Sequence, residues 1–301
     1  MTEPLRIAFI GLGVMGGPMA GHLAAAGHHV VAYNRTQSRA QAWLEEQRDG
    51  GHDCAIADTP GQAAEDCDMA MICVGNDDDL AAVLDGKDGV LSALTPGAML
   101  IDHTTVSAKM ARQVYDSAKT AGISALDAPV SGGQAGAQKG SLAIMCGGTA
   151  EAFARAQPIM QAYGANIVHV GGPGAGQTAK MANQMCIAGT LAGLGEAVRL
   201  VQASDIDADK VLQAISGGAA QSWQMDNRWN TMVADEFDFG FAIDWMRKDL
   251  GYALDEARRL GLESPTTRMV DGFYAELQDM DGARQDTSAL IRRLPKGRTI
   301  S

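Results

Sequence analysis

Cysteine is the first scarcity: five copies in 301 residues, an odd number, with none in C-x-x-C spacing. That excludes a disulfide framework and a zinc ribbon, and leaves free thiols in a reducing compartment as the expectation. Cys73 and Cys146 sit in apolar, strand-like runs and read as small core residues. The six histidines show no metal-ligand spacing. Three consecutive acids, Asp77, Asp78 and Asp79, lack the ligand spacing and glycine turn of a calcium loop and read as a solvated turn and helix cap. Basic charge is in deficit, and a formal net charge of −12 argues against a nucleic-acid surface. No apolar run reaches the ~20 residues that span a bilayer. No G-x-S-x-G or other nucleophile motif occurs, and long repeats and low-complexity tails are missing. The chain enters its first strand by Leu5, leaving no space for a signal peptide. A cytoplasmic enzyme is the expectation, with no metal, no nucleic acid and no membrane among its partners.

What is present starts with residues 7–35, IAFIGLGVMGGPMAGHLAAAGHHVVAYNR. Ile7 to Ile10 is an apolar run with no polar face, as in a strand buried on both sides. Gly11, Gly13 and Gly16 follow in G-x-G-x-x-G spacing. Met15, Met19, His22, Leu23 and Ala26 then recur at helical spacing, Gly27 stops the pattern, and Val30 to Tyr33 forms a second strand. Gly11 allows a tight turn, Gly13 lets a pyrophosphate approach the backbone, and Gly16 lets the helix pack on the strand. The helix N-terminus offers N–H donors and a partial positive charge to that pyrophosphate. A glycine triplet alone also fits an ordinary turn. Strand, triplet, helix and second strand within ~30 residues indicate a dinucleotide site.

The length leaves room for about two domains. Helix 36–46, strand 68–74, strand 99–102, helix 108–120 capped by Ser107, and strand 123–127 continue the alternation. Such alternation predicts a doubly wound parallel sheet, an α/β Rossmann domain over residues 1–172. The stretch 127–148, DAPVSGGQAGAQKGSLAIMCGG, reads either as an anion nest around Ser131-Gly132-Gly133 or as a flexible loop feeding strand 142–146. A helix 151–163 and a strand 167–170 lead to the breaker cluster 171–176, after which strand alternation ends. Residues 177–204 read as one helix ~40 Å long, joining the first domain to an all-α domain over 173–301. Gly189, Gly193 and Gly195 would let another helix approach it closely. Further helices are predicted at 211–216, 241–260, 267–280 and 288–293. The long helix with its small residues, in an apolar helical domain, suggests surface to be covered and a homo-oligomer, dimer or tetramer.

Lys180 lies in the predicted first turn of the long helix, where the macrodipole disfavours a cation. It shares a face with Gln177, Asn183 and Gln184 at i, i+3 and i+4 spacing. Either that face lines a site or the lysine is a solvated one on an exposed helix. His103, after Asp102 at a strand end, is the competing acid or base, or else an ordinary hydrogen-bonded loop histidine.

Four segments in order carry a family resemblance: GLGVMGGPMA (11–20), DAPVSGGQAGAQKGSLAIMCGG (127–148), GAGQTAKMANQ (174–184) and FAIDWMRKDLGYA (241–253). Over nearly its whole length the chain resembles the β-hydroxyacid dehydrogenases, typified by 3-hydroxyisobutyrate dehydrogenase and 2-hydroxy-3-oxopropionate (tartronate semialdehyde) reductase. The resemblance implies a Rossmann domain, a helical domain of the 6-phosphogluconate dehydrogenase type, and a substrate cleft between them. It implies Lys180 and Asn183 as catalytic residues, with Ser131, Gly132, Gly133, Thr105, Phe241 and Asp249 around the substrate. Cofactor contacts are implied at Gly11, Leu12, Gly13, Val14, Met15, Gly16, Asn34, Arg35, Thr36, Val74, Gly75, Thr105 and Lys248. Two departures stand out: His103 where small or apolar residues are more familiar, and Gln184 in place of the second asparagine of an Asn-Asn pair. Retention of Lys180 excludes the imine-reducing relatives, which replace it. The implied activity is hydride transfer between NAD(P) and a small 3-hydroxy acid or its semialdehyde. Reduction of tartronate semialdehyde, a related short-chain semialdehyde or glyoxylate is the nearest alternative, and a non-catalytic nucleotide-binding scaffold the alternative of another class.

Cofactor preference hangs on the end of the second strand. NAD enzymes usually carry Asp or Glu there, for the ribose hydroxyls. Here Tyr33-Asn34-Arg35-Thr36 offers no acid before Glu45. The Arg35 fork suits a 2′-phosphate and the Thr36 hydroxyl adds a donor, so NADP is expected over NAD. The other reading leaves Arg35 in solvent and Asn34 as a helix cap.

Overall fold

The computed structural model describes residues 3–295. The chain forms two compact units, Met1–Lys180 and Met181–Ser301. The first is built on a sheet of nine strands: β1 Arg6–Ile10, β2 His29–Tyr33, β3 Cys54–Ile56, β4 Met69–Ile72, β5 Met99–Asp102, β6 Ser124–Asp127, β7 Val130–Ser131, β8 Leu142–Gly148 and β9 Gly164–Gly171. Its helices are α1 Gly16–Ala25, α2 Gln37–Asp49, α3 Pro60–Ala64, α4 Asp77–Leu84, α5 Val90–Ala93, α6 Ala108–Thr120, α7 Gly133–Lys139 and α8 Ala150–Met160. The order across the sheet is β3-β2-β1-β4-β5-β6, all parallel, followed by β8 and β9.

Continuous apolar runs make sense in this setting because both faces are covered. Ile7, Phe9, Met69 and Met71 pack on one side with Met19 and Leu23 of α1 and Ile159 of α8. Ala8, Ile10, Ala70 and Ile72 pack on the other with Leu80 of α4 and Val114 of α6. Alternation along the strand thus separates two apolar sets instead of an apolar and a polar one.

The sheet is not parallel throughout. β8 runs antiparallel to both β6 and β7, in one register from Leu126 opposite Gly148 to Ser131 opposite Ala143. Ten residues separate Ser131 from Leu142, and α7 takes up seven of them. A right-handed crossover needs about a dozen or more, so the chain turns back beside the strand it left. β6 and β7 are one strand interrupted at Ala128-Pro129, where the ladder persists through the Met145 N–H donating to the Pro129 carbonyl.

α9 Ala175–Ala203 starts in the first unit and ends in the second. It starts two residues earlier than its apolar pattern shows. Lys180 therefore lies in the second turn rather than the first, beyond the reach of most of the macrodipole. The second unit adds α10 Ala208–Ile215, α11 Trp223–Ala234, α12 Ile243–Arg259 and α13 Pro265–Gln278 around a core of Trp229, Ile243, Met246, Leu250, Val270 and Tyr274. The expected last helix, 288–293, is a 3-10 turn, Thr287–Arg293. α11 and β3 have no counterpart in the sequence reading: β3 is three residues long, and polar residues dilute the Met225, Trp229, Met232 stripe of α11. Among the described residues the close helix approach expected at Gly189 and Gly193 does not occur, since a Cβ at either would meet open space. Gly195 meets Ile291 at ordinary contact distance. Cys146 is a core residue, whereas Cys73, past the end of β4, is only half-buried. No helix among the described residues is long and apolar enough to cross a membrane.

Candidate active site

In-register pairing places Tyr33, Ile10, Ile72, Asp102 and Asp127 in one row at the carboxyl ends of the parallel strands. The next row is Asn34, Gly11, Cys73, His103 and Ala128. It is tied to the first by the N–H groups of Gly11, Cys73, His103 and Ala128, which donate to Tyr33, Ile10, Ile72 and Asp102. Gly11, Leu12, Gly13, Asn34, Val74, Gly75, Thr105 and Ser131 are thereby brought to one edge of the sheet, where open α/β sheets bind ligands.

At β1 the backbone turns hard. Gly11 has φ +99° and lies against the Cys73 carbonyl, while a Cβ on Gly16 would strike the Gly11 carbonyl. A Cβ on Gly13 would meet no protein atom within 4 Å. The first and last glycines are therefore required by the protein itself, and the middle one leaves a cradle. α1 follows with Met15 at its cap position and no side-chain capping bond. In its first turn the Gly17 N–H already donates to the Gly13 carbonyl and Pro18 has none, so the anion donors this region offers are the N–H groups of the turn leading in, up to Gly16. Val14 is exposed on this turn and Met15 half-buried. The residues fit a dinucleotide.

Asn34 is already engaged, its Oδ1 accepting from the Leu12 N–H at 3.0 Å and its Nδ2 donating to the Thr36 carbonyl at 3.0 Å. It braces the glycine turn and does not cap α2; Thr36 holds the cap position without a side-chain bond. Arg35 Nη1 donates to Asp79 Oδ1 at 2.8 Å. The three-acid run is the first turn of α4, capped by Asn76.

At β5, His103 is not an available acid or base. Its Nδ1 donates to the Ala128 carbonyl at 2.7 Å, so its neutral Nε2 accepts from the Tyr163 hydroxyl at 2.8 Å. Burial pushes the imidazole down to about 4. Asp102 beside it is buried, accepts from the Thr104 N–H at 2.9 Å through Oδ1, and has no partner for Oδ2. Burial raises it to about 7.

Asp127, which the sequence reading did not single out, organises the start of α9. Its Oδ1 accepts from the Gly174 N–H at 2.7 Å and its Oδ2 from the Gln177 N–H at 2.9 Å. Its carboxylate fills the space that a Cβ on Gly147 or Gly176 would need. Desolvation raises it to about 6, against the pull of those N–H donors. A signal existed: an acid ending an apolar buried strand has no place there without partners. Gln177, wholly buried, donates through Nε2 to the Thr104 carbonyl at 2.7 Å and accepts the Val106 N–H at 3.1 Å. It locks the loop carrying Thr105 to α9. One turn on, Lys180 is only 7% exposed.

After β7, Gly132 (φ +137°) and Gly133 (φ +62°) turn the chain into α7, leaving Ser131 half-buried and both glycines exposed. His22 of α1 holds the far end of α7, with Nε2 3.0 Å from the Ala137 carbonyl.

In the second unit, Gln184 donates to Asp249 Oδ2 at 2.7 Å and accepts from Asn183 Nδ2 at 2.8 Å. Lys248 Nζ stands 3.2 Å from Asp249 Oδ1, in ion-pair range without hydrogen-bond alignment. The same ammonium lies 5.3 Å from the Tyr252 ring centre and 5.7 Å from that of Trp245. The Phe241 N–H donates to Asp286 Oδ2 at 2.9 Å. Among the described residues, no three His, Cys, Asp or Glu side chains are gathered as a metal site.

Residues 6–171 match the NAD binding domain of 6-phosphogluconate dehydrogenase, and residues 174–294 the NAD-binding domain of NADP-dependent 3-hydroxyisobutyrate dehydrogenase. The 2-hydroxy-3-oxopropionate reductase of Escherichia coli is 35% identical over 96% of this chain and 97% of its own. The 3-hydroxyisobutyrate dehydrogenase of Pseudomonas aeruginosa is 33% identical over 97% and 99%. The Mycobacterium tuberculosis 3-hydroxyisobutyrate dehydrogenase, solved with L-serine, superposes with a TM-score of 0.86 at 30% identity, covering 97% of this chain and 99% of its own. A glycine cradle at the carboxyl edge of a parallel sheet, and relatives matching end to end, carry one conclusion: the chain belongs to the β-hydroxyacid dehydrogenase family of NAD(P)-dependent oxidoreductases.

Proposed function

We propose that the protein interconverts a short 3-hydroxy acid and its semialdehyde, 3-hydroxyisobutyrate or a close analogue, with NADP preferred to NAD. The observation that carries this reading is Lys180, 7% exposed on a helix whose start is fixed by Asp127 and Gln177. Backbone N–H groups at Ser131, Gly132 and Gly133 hold the substrate carboxylate. The nicotinamide, when bound, donates or accepts the hydride. Lys180 gives a proton to the carbonyl oxygen in reduction and takes it back from the hydroxyl in oxidation. Asn183, at i+3 on the same helix, orients the lysine or the substrate. Arg35 receives the 2′-phosphate, which its exposed fork suits.

Lys180→Ala is expected to lose ~10²–10⁴ in kcat, with the dissociation constant for NADP+ unchanged. A variant keeping more than about a tenth of wild-type kcat would move the proton to another group. Tartronate semialdehyde is the second substrate reading, favoured by the 35% identity to a 2-hydroxy-3-oxopropionate reductase. Turnover with 3-hydroxyisobutyrate, glycerate, 4-hydroxybutyrate and serine separates the two, and no turnover with any would favour a binding scaffold. The open space beside Gly189 and Gly193 supports a homo-oligomer; sedimentation as a 31.5 kDa monomer at micromolar concentration would reject it.

A further inference from the structure

The end of β2 offers no acid, yet the structure supplies one from elsewhere. β1 lies between β2 and β4, and the residues after these two flanking strands meet in the Arg35–Asp79 pair. Asp79 is fixed there: its N–H donates to Asn76 Oδ1 at 2.8 Å, placing it on the first turn of α4. Its neighbour Asp77 is taken by Ser107, which donates through its N–H at 2.9 Å and its hydroxyl at 2.6 Å. The Arg35 side chain is 84% exposed and that of Asp79 27%. One partner is therefore held and the other is able to swing.

We propose that Asp79 restrains the enzyme's preference for NADP by competing with the 2′-phosphate for Arg35. This rests on the reading that Arg35 is the phosphate-binding residue. To form a two-pronged contact with a phosphate, the guanidinium must leave or share the Asp79 carboxylate. The neutral ribose diol of NAD makes no such demand. An exposed pair of this kind resists release by up to about fivefold in affinity. Screened repulsion between Asp79 and the incoming phosphate adds roughly twofold more. The discriminating feature is charge, not shape.

The test measures binding by titration calorimetry with NADP+, NAD+ and adenosine 2′,5′-bisphosphate, for wild type, Asp79→Asn, Asp79→Glu, Arg35→Ala and the Asp79→Asn, Arg35→Ala double variant. Asp79→Asn is expected to tighten NADP+ and the bisphosphate about 3–10-fold, to leave NAD+ within about twofold, and to lose the effect near 1 M salt. Asp79→Glu restores the wild-type ratio. In the Arg35→Ala background the same change is worth no more than about twofold. An unchanged or weakened NADP+ affinity in Asp79→Asn, with the preference still erased by Arg35→Ala, overturns the role of Asp79 and leaves that of Arg35 standing. If Arg35→Ala leaves the ratio of NADP+ to NAD+ affinity unchanged, both fall. Unfolding midpoints within a degree or two of wild type show that each variant is folded.

Discussion

The two units bury carboxyl groups by different means. In the sheet unit, Asp102 and Asp127 are held by backbone N–H groups, and among the described residues neither is paired with a cation. In the helical unit, Asp249 is paired with Lys248 and Asp286 with Arg228. The first arrangement leaves protonation free to adjust, and burial accordingly raises both acids. The second sets each carboxylate against a cation and makes each partner indispensable to the other. The sheet unit should therefore respond most to pH, and the helical unit most to substitution.

Loss of the Asp286 carboxylate is the largest expected effect. That side chain is fully buried and accepts from Arg228 Nε at 3.0 Å, the Phe241 N–H at 2.9 Å and the Ser288 hydroxyl at 2.6 Å. Asp286→Ala takes from the Arg228 guanidinium its only carboxylate among the described residues, leaving it the Asn227 carbonyl at 2.9 Å and the faces of Trp223 and Phe239, each 4.9 Å away. Breaking a buried pair in this way costs about 3–5 kcal/mol. Trp223, Trp229 and Trp245 belong to the helical unit and only Trp43 to the sheet unit, so denaturant unfolding followed by tryptophan fluorescence in a Trp43→Phe background reads the helical unit selectively. A loss below about 1 kcal/mol would remove the distinction between the units.

The pH responses in the sheet unit carry opposite signs. Asp102 is raised from 3.8 to about 7, so its contribution is complete below 3.8 and is lost as pH rises through 7. His103 is lowered from 6.5 to about 4, so its contribution is complete above 6.5 and is lost as pH falls through 4. Relative to Asp102→Asn, wild type should lose about 4 kcal/mol between pH 4 and 7. Relative to His103→Gln, it should lose about 3 kcal/mol in the reverse direction between pH 6.5 and 4. Parallel pH–stability curves for either pair would place the group in water.

The same contrast explains what the sequence made legible. The Gly11, Gly13 and Gly16 spacing and the apolar runs dictate backbone, and the sheet unit is mostly backbone geometry; its first five major strands and the carboxyl-edge row follow from them. The antiparallel β8 did not, because it depends on counting the residues left for a crossover. Asp127 and Gln177 act across 47 and 73 positions of chain. An acid ending a buried strand signals a need for partners, but no local pattern says that they lie at the start of a helix so far away. Arg35 was legible as a cation after β2, but its partner Asp79, 44 residues on, was not.

The smallest expected effect tests whether a side-chain network in the helical unit tunes chemistry or only stability. Gln184 is the departure from the Asn-Asn pair that the resemblance leads one to expect, and the length of its arm lets one carboxamide accept from Asn183 at 2.8 Å while donating to Asp249 at 2.7 Å. Gln184→Asn draws the carboxamide back by about 1.5 Å, one carbon–carbon bond, out of hydrogen-bond reach of both Asn183 and Asp249. One of the lost hydrogen bonds involves a buried carboxylate, and a cost of about 1–2 kcal/mol follows. If Asn183 orients substrate, freeing its Nδ2 should raise KM for the hydroxy acid about 3–10-fold. In that case kcat and the NADP+ dissociation constant stay within about twofold, because Lys180 and the glycine cradle are untouched. A purely structural role predicts the stability loss alone. Equal falls in kcat and kcat/KM would instead mean that Gln184 supports Lys180, the residue proposed to transfer the proton, one turn back along α9, and that the network belongs to catalysis.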